Sequence, residues 1–164
     1  MLSFIKAHEK DILTIQQLAH TIWYNHYTTI ISEEQIEYML NLMYSTKTIS
    51  KEIQHGYFWY LIMENSQPIG FISFHFENDD TKMKLEKLYT LVSHHGKGYG
   101  QESLNFVKDS SKKMDAQILC LRVNKQNTKA INAYIKAGFT IEREDTADIG
   151  NGYVMDDYIM SINL

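Results

Sequence analysis

The chain has 164 residues, of which 44% are apolar, 22% charged and 12% aromatic. This composition fits one globular domain over residues 1–164 and excludes a disordered tail, and no segment reaches the ~18 apolar residues that a membrane span needs. Sixteen basic against twenty acidic residues give a net charge of -4, the wrong sign for a general nucleic-acid binder.

The first third of the chain predicts one short strand followed by helices. Phe4 to Ala7 is the strand candidate, and from Asp11 apolar residues recur with the spacing of a helix face. Ser32, followed three residues later by Gln35, is a capping-box signature, so we expect a second helix to begin there. The pattern over Thr48 to Gln54 is compatible with a third, short helix.

The residue composition in the middle of the chain is typical of β-strands. Tyr57 to Met63 and Ile69 to Phe76 are rich in aromatic and β-branched residues, and a turn at Asn65 joins them as a predicted hairpin. A second turn over Asn78 to Asp80 leads into a third strand, Met83 to Leu91.

Alternation along this third strand divides its side chains between two faces. On one face we expect Leu85, Tyr89 and Leu91, and on the other Glu86, Leu88 and Thr90. Glu86 would then point the same way as Leu88 and Thr90.

The second half of the chain returns to alternating elements. A helix is predicted from Gly100, a strand over Ile118 to Val123, and a helix over Asn127 to Ala137. Phe139 to Glu144 and Tyr153 to Ile162 form a final predicted hairpin. The order β-α-α-β-β-β-α-β-α-β-β predicts an α/β fold.

The chain has one cysteine, Cys120, so no disulfide can form within it. A lone thiol is typical of a reducing compartment, and Met1 to Lys10 lack the apolar stretch of a secretory signal. We therefore expect a cytoplasmic protein in which Cys120 packs as a small hydrophobe. No metal site is expected, because four histidines lack partners at metal-ligand spacing: His26, His75, His94 and His95.

Three alternate glycines, Gly96, Gly98 and Gly100, stand between a predicted strand and a predicted helix. Glycine lets the backbone approach an anion closely, and the N–H groups and positive dipole at a helix N-terminus attract it. Neither the Walker loop nor the dinucleotide fingerprint fits, since the sixth position from Gly96 is Gln101. The segment predicts an anion site of another kind, or glycines that serve only a tight turn.

Two motifs resemble those of the GNAT family of N-acetyltransferases. The acetyl-CoA signature Q/R-x-x-G-x-G corresponds to His95 to Gly100, with His95 where the family has Gln or Arg. The motif NxxAxxxYxxxGF is intact from Asn127 to Phe139. The resemblance covers nearly the whole chain and implies a single GNAT-like domain, with a mixed, mostly antiparallel twisted central sheet flanked by helices on both faces.

The resemblance implies acetyl-CoA as the cosubstrate. Backbone atoms of one strand would pair with the pantetheine arm as if it were an added strand, and amides of the glycine loop would hold the pyrophosphate. Lys97 and Lys129 would add positive charge, and Asn127 would cap the last helix and contact the cofactor. The implied cofactor-binding residues are Leu88, Tyr89, Thr90, His95, Gly96, Lys97, Gly98, Tyr99, Gly100, Gln101, Asn127 and Lys129.

Two residues are the implied catalytic groups. The resemblance gives Tyr134 the role of the acid that protonates the departing CoA thiolate, a role that contributes roughly 10²- to 10⁴-fold. An alkyl amine with a pKa of about 10.4 is almost fully protonated at pH 7, so a base or a water relay must take a proton. Glu86 is our candidate for that base.

The acceptor is predicted less sharply than the cofactor. Leu85 to Tyr89 and Val154 to Tyr158 resemble polyamine acetyltransferases of the PaiA type, which suggests a polyamine or diamine such as spermidine. Acids and rings are candidates to hold a distal ammonium: Asp156, Asp157, Glu33, Glu34, Trp23, Tyr24 and Tyr27.

The sequence leaves open a different acceptor, a different function and a homodimer. A protein N-terminus or an aminoglycoside is an alternative acceptor, and a non-catalytic CoA-binding regulatory module is an alternative function. The family often dimerises, and edge strands in the last hairpin would permit a homodimer.

Overall fold

The fold is a single twisted sheet with helices on both faces. In the computed structural model, which describes residues 1–78 and 80–164, the chain forms seven strands and five α-helices. The strands are β1 (Leu2–Lys6), β2 (Phe58–Glu64), β3 (Gln67–Phe76), β4 (Lys82–Thr90), β5 (Ile118–Asn124), β6 (Thr140–Gly150) and β7 (Tyr153–Asn163). The helices are α1 (Ile12–Tyr27), α2 (Glu33–Tyr44), α3 (Thr46–Gln54), α4 (Tyr99–Lys113) and α5 (Thr128–Lys136).

The sheet order is β1-β2-β3-β4-β5-β7-β6, and every neighbouring pair is antiparallel except the parallel pair β4 and β5. This confirms the predicted α/β class and the mixed, mostly antiparallel sheet. The predicted turn over Asn78 to Asp80 includes Asp79, which lies outside the described residues.

The starts of three helices follow local sequence signals. Ser32 Oγ accepts from the N–H of Gln35 at 3.1 Å, and Asn127 Oδ1 accepts from that of Ala130 at 3.2 Å. The third helix is confirmed, and Ser45 Oγ caps it. Each such cap contributes about 1 kcal/mol because it satisfies an N–H group that the helix leaves free.

Two hydrophobic clusters hold the helices on opposite faces of the sheet. Residues of α1, α2 and α3 pack on one face with Trp59 and Phe71, both buried. Residues of α4 and α5 pack on the other face with Phe74 and Leu121. We call these the front cluster and the back cluster, respectively.

A β-bulge at Glu86 breaks the alternation predicted for β4. Ser73 of β3 lies opposite Lys87, whereas Phe74 lies opposite Leu85, so Glu86 is an extra residue. Leu85 therefore packs in the back cluster and Tyr89 against the front cluster. The prediction that these two side chains share a face was wrong, because one inserted residue reverses every position after it.

β4 and β5 separate before either strand ends. Their pairs run from Lys82 with Ile118 to Leu85 with Leu121. β4 then continues to Thr90 and β5 to Asn124. The β5-facing side of the second half of β4 therefore borders a cleft.

β3 and β4 approach each other so closely at Gly70 that there is no room for a side chain there. A Cβ at Gly70 would lie 2.2 Å from the carbonyl oxygen of Tyr89 and 3.0 Å from Cα of Thr90. We expect Gly70→Ala to lower the free energy of unfolding by about 1–3 kcal/mol, because the strands must move apart. Urea unfolding monitored by circular dichroism measures this change.

Gly100→Ala is the matched control, because a Cβ there meets nothing within 4 Å and Gly100 lies in α4. Alanine favours a helix over glycine by up to ~1 kcal/mol, so this variant should be as stable as the wild type or more so. Equal stability of Gly70→Ala and the wild type would contradict the packing described for β3 and β4.

Candidate active site

The cleft between β4 and β5 has a volume of about 640 Å³, within the usual range of ligand-binding pockets. Its walls come from β4, β5, β7 and the first turns of α4 and α5, with further residues from α1 and α2. Every catalytic or cofactor-binding residue predicted from the sequence except Lys97 lines it: Glu86, Leu88, Tyr89, Thr90, His95, Gly96, Gly98, Tyr99, Gly100, Gln101, Asn127, Lys129 and Tyr134.

The glycine turn leads from β4 into α4 along the wall of this cleft. Gly96 and Gly98 have φ values of +79° and +85°, which side chains with a Cβ rarely adopt. Gly98 is the N-cap of α4, and its carbonyl accepts from the N–H groups of Gln101 and Glu102. The first N–H groups of a helix lack intrahelical acceptors, so this 15-residue helix presents an anion-binding end at the cleft.

His95 links the glycine turn to both walls. Its Nε2 lies 3.1 Å from the Thr90 carbonyl oxygen, and Lys129 Nζ lies 3.0 Å from its Nδ1. The neutral ring protonated on Nε2 satisfies both contacts, since it donates to Thr90 and accepts from Lys129. His95 thus holds the Lys129 cation beside the cleft.

His26 lies beside His95 and Asn127 at the same rim of the cleft. Its Nε2 lies 3.3 Å from Nδ2 of Asn127, and its ring packs edge-on against His95. Burial lowers the pKa of His26, and the neighbouring His95 and Lys129 lower it further. The rim therefore disfavours another cation and suits an anion.

Lys97 lies apart from the cleft lining. Its Nζ is 3.4 Å from Oε1 of Glu64, which also accepts from the Tyr99 hydroxyl. His94 Nε2 lies 3.0 Å from the other oxygen of Glu64. Glu64 therefore anchors the outer side of the glycine turn, and a phosphate contact from Lys97 stays a prediction.

Three tyrosines meet at the cleft, and we call them the tyrosine cluster: Tyr27, Tyr89 and Tyr134. The hydroxyls of Tyr27 and Tyr89 are 3.1 Å apart, and each interacts electrostatically with the hydroxyl of Tyr134. Burial raises the pKa of all three phenols, so each keeps its proton at neutral pH. The sequence predicted only a backbone role for Tyr89, because the partner of its hydroxyl is 62 residues away.

Packing of α5 fixes the position of Tyr134. It packs in the back cluster with Ala130 and Ile131, and its ring meets that of Phe139 edge-on at 5.7 Å.

Glu86 lines the cleft but is held by His75 and Lys84. Its Oε1 lies 3.0 Å from Nε2 of His75 and 2.6 Å from Nζ of Lys84. Burial raises the pKa of Glu86, but the hydrogen bond from His75 and the charge of Lys84 outweigh it and lower that pKa to about 2. The expectation that Glu86 faces the same way as Leu88 was wrong, because Leu88 packs in the back cluster beyond the bulge.

Asp157 of β7 is the other carboxylate in the cleft lining, and it is 5% exposed. Its Oδ2 accepts from Nε of Arg122 at 3.2 Å, whereas its Oδ1 is buried with no hydrogen-bond partner among the described residues. Burial raises the pKa of Asp157.

The other candidates for holding the acceptor divide into two groups. Trp23 and Tyr27 line the cleft. The hydroxyl of Tyr24 donates to Glu37, and Asp156 pairs with Lys125 at 2.6 Å, both away from the cleft lining. Glu33 and Glu34 are exposed in the first turn of α2.

Cys120 is 3% exposed on β5, and burial raises the pKa of its thiol to about 11. It is therefore a packed side chain with little thiolate at neutral pH. Within residues 1–78 and 80–164, no group of three or more His, Cys, Asp or Glu is placed to hold a metal ion. In the same part of the chain, no helix is long and apolar enough to cross a membrane.

Two comparisons with known sequences agree that the chain is similar to acetyltransferases. A model of the acetyltransferase (GNAT) family matches residues 13–139. An uncharacterized N-acetyltransferase of Mycobacterium tuberculosis is 33% identical over 82 residues, which are 50% of this chain and 52% of that protein. The matched segment thus spans about half of the length of this curated relative.

Solved structures are similar over the whole chain. The crystal structure of the PaiA N-acetyltransferase of Thermoplasma acidophilum in complex with coenzyme A is 25% identical, with a TM-score of 0.85, and covers 100% of this chain and 99% of that one. Mutant forms of the spermidine/spermine N-acetyltransferase SpeG of Vibrio cholerae are 19% identical, with a TM-score of 0.71 and coverage of 99% and 95%. At that lower identity the likeness shows a shared fold alone.

The ion pairs of Glu86 predict how stability depends on pH. The pKa of Glu86 is about 2 in the folded protein against a reference value of 4.5, so its contribution is present above pH 4.5 and disappears as the pH falls toward 2. We expect Glu86→Gln to lower the free energy of unfolding by roughly 2 kcal/mol at pH 7 and by much less at pH 3. Urea unfolding at the two pH values measures the difference.

Glu142→Gln is the control, since Glu142 is exposed on β6, and it should change stability by less than about 0.5 kcal/mol at either pH. A Glu86→Gln effect of the same size at pH 3 and pH 7 would contradict the charge state assigned to Glu86.

Proposed function

Because the chain belongs to the acetyltransferase (GNAT) family, we propose that it transfers the acetyl group of acetyl-CoA directly to a primary amine, a polyamine or diamine such as spermidine. One observation carries the proposal: β4 and β5 separate after Leu85 and Leu121, and the resulting cleft joins a glycine turn to the tyrosine cluster.

The cleft suits the two chemical parts of acetyl-CoA. The backbone of Leu88 to Thr90 lies along the cleft, where an extended arm that carries amides can hydrogen-bond as an added strand. The free N–H groups at the start of α4 and the Lys129 cation match a pyrophosphate. The similar PaiA enzyme was solved with coenzyme A, which supports the same cosubstrate here.

Tyr134 is the proposed general acid. Its hydroxyl is protonated at neutral pH, because burial raises its pKa, and it lines the cleft beside the glycine turn's helix. A thiolate that leaves an acetyl group needs a proton, and a positioned phenol can supply one. Tyr134 would then regain its proton from the attacking amine.

The proposed acceptor follows from the remaining lining of the cleft. Asp157 and Glu86 are carboxylates, and Trp23 and Tyr27 are aromatic rings, and all four line it. Carboxylates and aromatic faces both attract ammonium groups. A polyamine carries several such groups, so this lining supports it as the acceptor.

We also propose a cytoplasmic location and a homodimer. The single cysteine, Cys120, is a buried free thiol, which is typical of a reducing compartment. β6 is an outer strand of the sheet and is largely exposed, so it offers a free edge to a second copy. Light scattering after size-exclusion chromatography tests the assembly.

The reaction is tested by release of free CoA from acetyl-CoA in the presence of different amines. We expect release with spermidine, spermine and short diamines, and little with aminoglycosides or N-terminal peptides. Release with another amine alone would reassign the acceptor. No release with any amine, although acetyl-CoA raises the melting temperature, would support a non-catalytic CoA-binding module instead.

Tyr134→Phe tests the acid. We expect kcat to fall roughly 10²- to 10⁴-fold with little change in the KM for acetyl-CoA, because only a proton donor is removed. Tyr153→Phe is the control, since Tyr153 packs on Tyr38 outside the cleft lining, and it should keep wild-type turnover. Turnover of Tyr134→Phe within about threefold of wild type would remove the role.

A further inference from the structure

Among the described residues, two carboxylates line the cleft, Glu86 and Asp157. They differ in their hydrogen-bond and ion-pair partners. We propose that Asp157, rather than Glu86, binds the reacting ammonium group of the acceptor and takes its proton. The inference rests on the proposed function, because it names the group that the amine meets in the same cleft.

The first argument is an unsatisfied oxygen. Asp157 is 5% exposed, Arg122 Nε donates to its Oδ2, and its Oδ1 is buried with no hydrogen-bond partner among the described residues. A buried carboxylate oxygen without a donor is unfavourable, and it is satisfied at once by a ligand that carries N–H groups. A primary ammonium is such a ligand.

The second argument is the charge around Asp157. Arg122 is shared, because its Nη2 also lies 2.9 Å from Oδ2 of Asp145 on β6. Two carboxylates and one guanidinium leave one negative charge when all are ionised. Among the other neighbours, Asp156 on the same strand is paired with Lys125, and the phenol of Tyr27 on α1 is neutral. One ammonium group balances this local charge.

The third argument compares the two carboxylates as bases. Oε1 of Glu86 already contacts both His75 and Lys84, and the pKa of Glu86 is about 2. A carboxylate so stabilised accepts a proton poorly at neutral pH. Burial instead raises the pKa of Asp157, which brings its proton affinity closer to that of an effective base.

The fourth argument is position relative to the tyrosine cluster. The charge of Asp157 acts on the Tyr27 hydroxyl, which contacts Tyr89 and interacts electrostatically with Tyr134. Glu86 acts instead on Tyr44 and Tyr57, on the side of the sheet covered by α3. Asp157 is thus the carboxylate that shares its surroundings with the proposed acid.

The proton and electron balance is complete. Asp157 takes one proton from R–NH₃⁺, and the nitrogen lone pair then forms the C–N bond to the acetyl carbonyl carbon. The electron pair of the breaking C–S bond leaves on sulfur, which takes a proton from Tyr134. Tyr134 recovers a proton from the new nitrogen, and Asp157 releases its proton to water, so the net products are the amide, free CoA and one proton.

Asp157→Asn tests the inference with two acceptors, spermidine and the monoamine n-butylamine. We expect kcat/KM to fall at least 100-fold with both, because the reacting amine loses its base. Asp156→Asn is the matched control next in sequence and should stay within threefold of wild type, and Glu86→Gln should lose less kcat/KM than Asp157→Asn with both amines. The variant must still show the melting-temperature rise caused by acetyl-CoA.

Two outcomes would contradict the role of Asp157 as the base. A loss with spermidine but not with n-butylamine would make Asp157 a distal anchor and overturn the proton role. A 100-fold loss in Glu86→Gln with Asp157→Asn unaffected would return that role to Glu86.

Two further measurements separate this inference from the proposed function and from folding defects. If Asp157→Asn does not fold, the wild-type pH profile decides: because burial raises the pKa of Asp157, the fall of kcat/KM toward acid should have its midpoint above the ordinary aspartate pKa of 3.8, and a midpoint at or below that value would contradict the role. If the wild type releases no CoA with any amine, the proposed function fails. Calorimetry of n-butylamine binding in the presence of CoA then decides the site, with at least tenfold weaker binding expected in Asp157→Asn and unchanged binding as the contrary result.

Discussion

The early separation of β4 from β5 is the constraint on which the site depends. After Leu85 and Leu121 the two parallel strands no longer share hydrogen bonds, and the bulge at Glu86 lies at that point. A bulge bends its strand and increases the local twist, which accounts for the separation of β4 from β5 beyond this point. Backbone groups along the rest of β4 then require partners from water or from a ligand, and an extended amide-bearing molecule supplies them in the geometry of a strand.

The surrounding structure keeps this opening in place. The front cluster fixes β4 through the helices α1 to α3, and the back cluster spans β4 and β5 through α4 and α5. The charged groups of the cleft are distributed by element: Lys129, which contacts His95, and the start of α4 provide positive potential, whereas Asp157 on β7 is a negative group beside buried phenols. One cleft therefore suits an anionic cosubstrate and a cationic acceptor together.

Much of the fold could be predicted from local sequence patterns, and about half of the cleft lining could be predicted, chiefly through the two motifs that resemble those of the GNAT family. Apolar periodicity, caps such as Ser32 and the two glycine-containing motifs act over a few residues. The bulge at Glu86 could not be predicted, since an alternating pattern contains no sign of one inserted residue. The hydroxyl of Tyr89 contacts a residue 62 positions away, and Asp157 accepts a hydrogen bond from a residue 35 positions away. Only the folded chain brings these residues together.

Hydrogen exchange of backbone amides with and without acetyl-CoA, read by mass spectrometry, tests the central claim most directly. If the cleft binds the cosubstrate as we describe, exchange should slow in peptides that contain the second half of β4 and the glycine turn from Gly96 to Gln101. Peptides from β1 (Leu2–Lys6), on the far edge of the sheet, should be unchanged. Protection elsewhere with no change in the glycine turn would contradict the assignment of this cleft as the acetyl-CoA site.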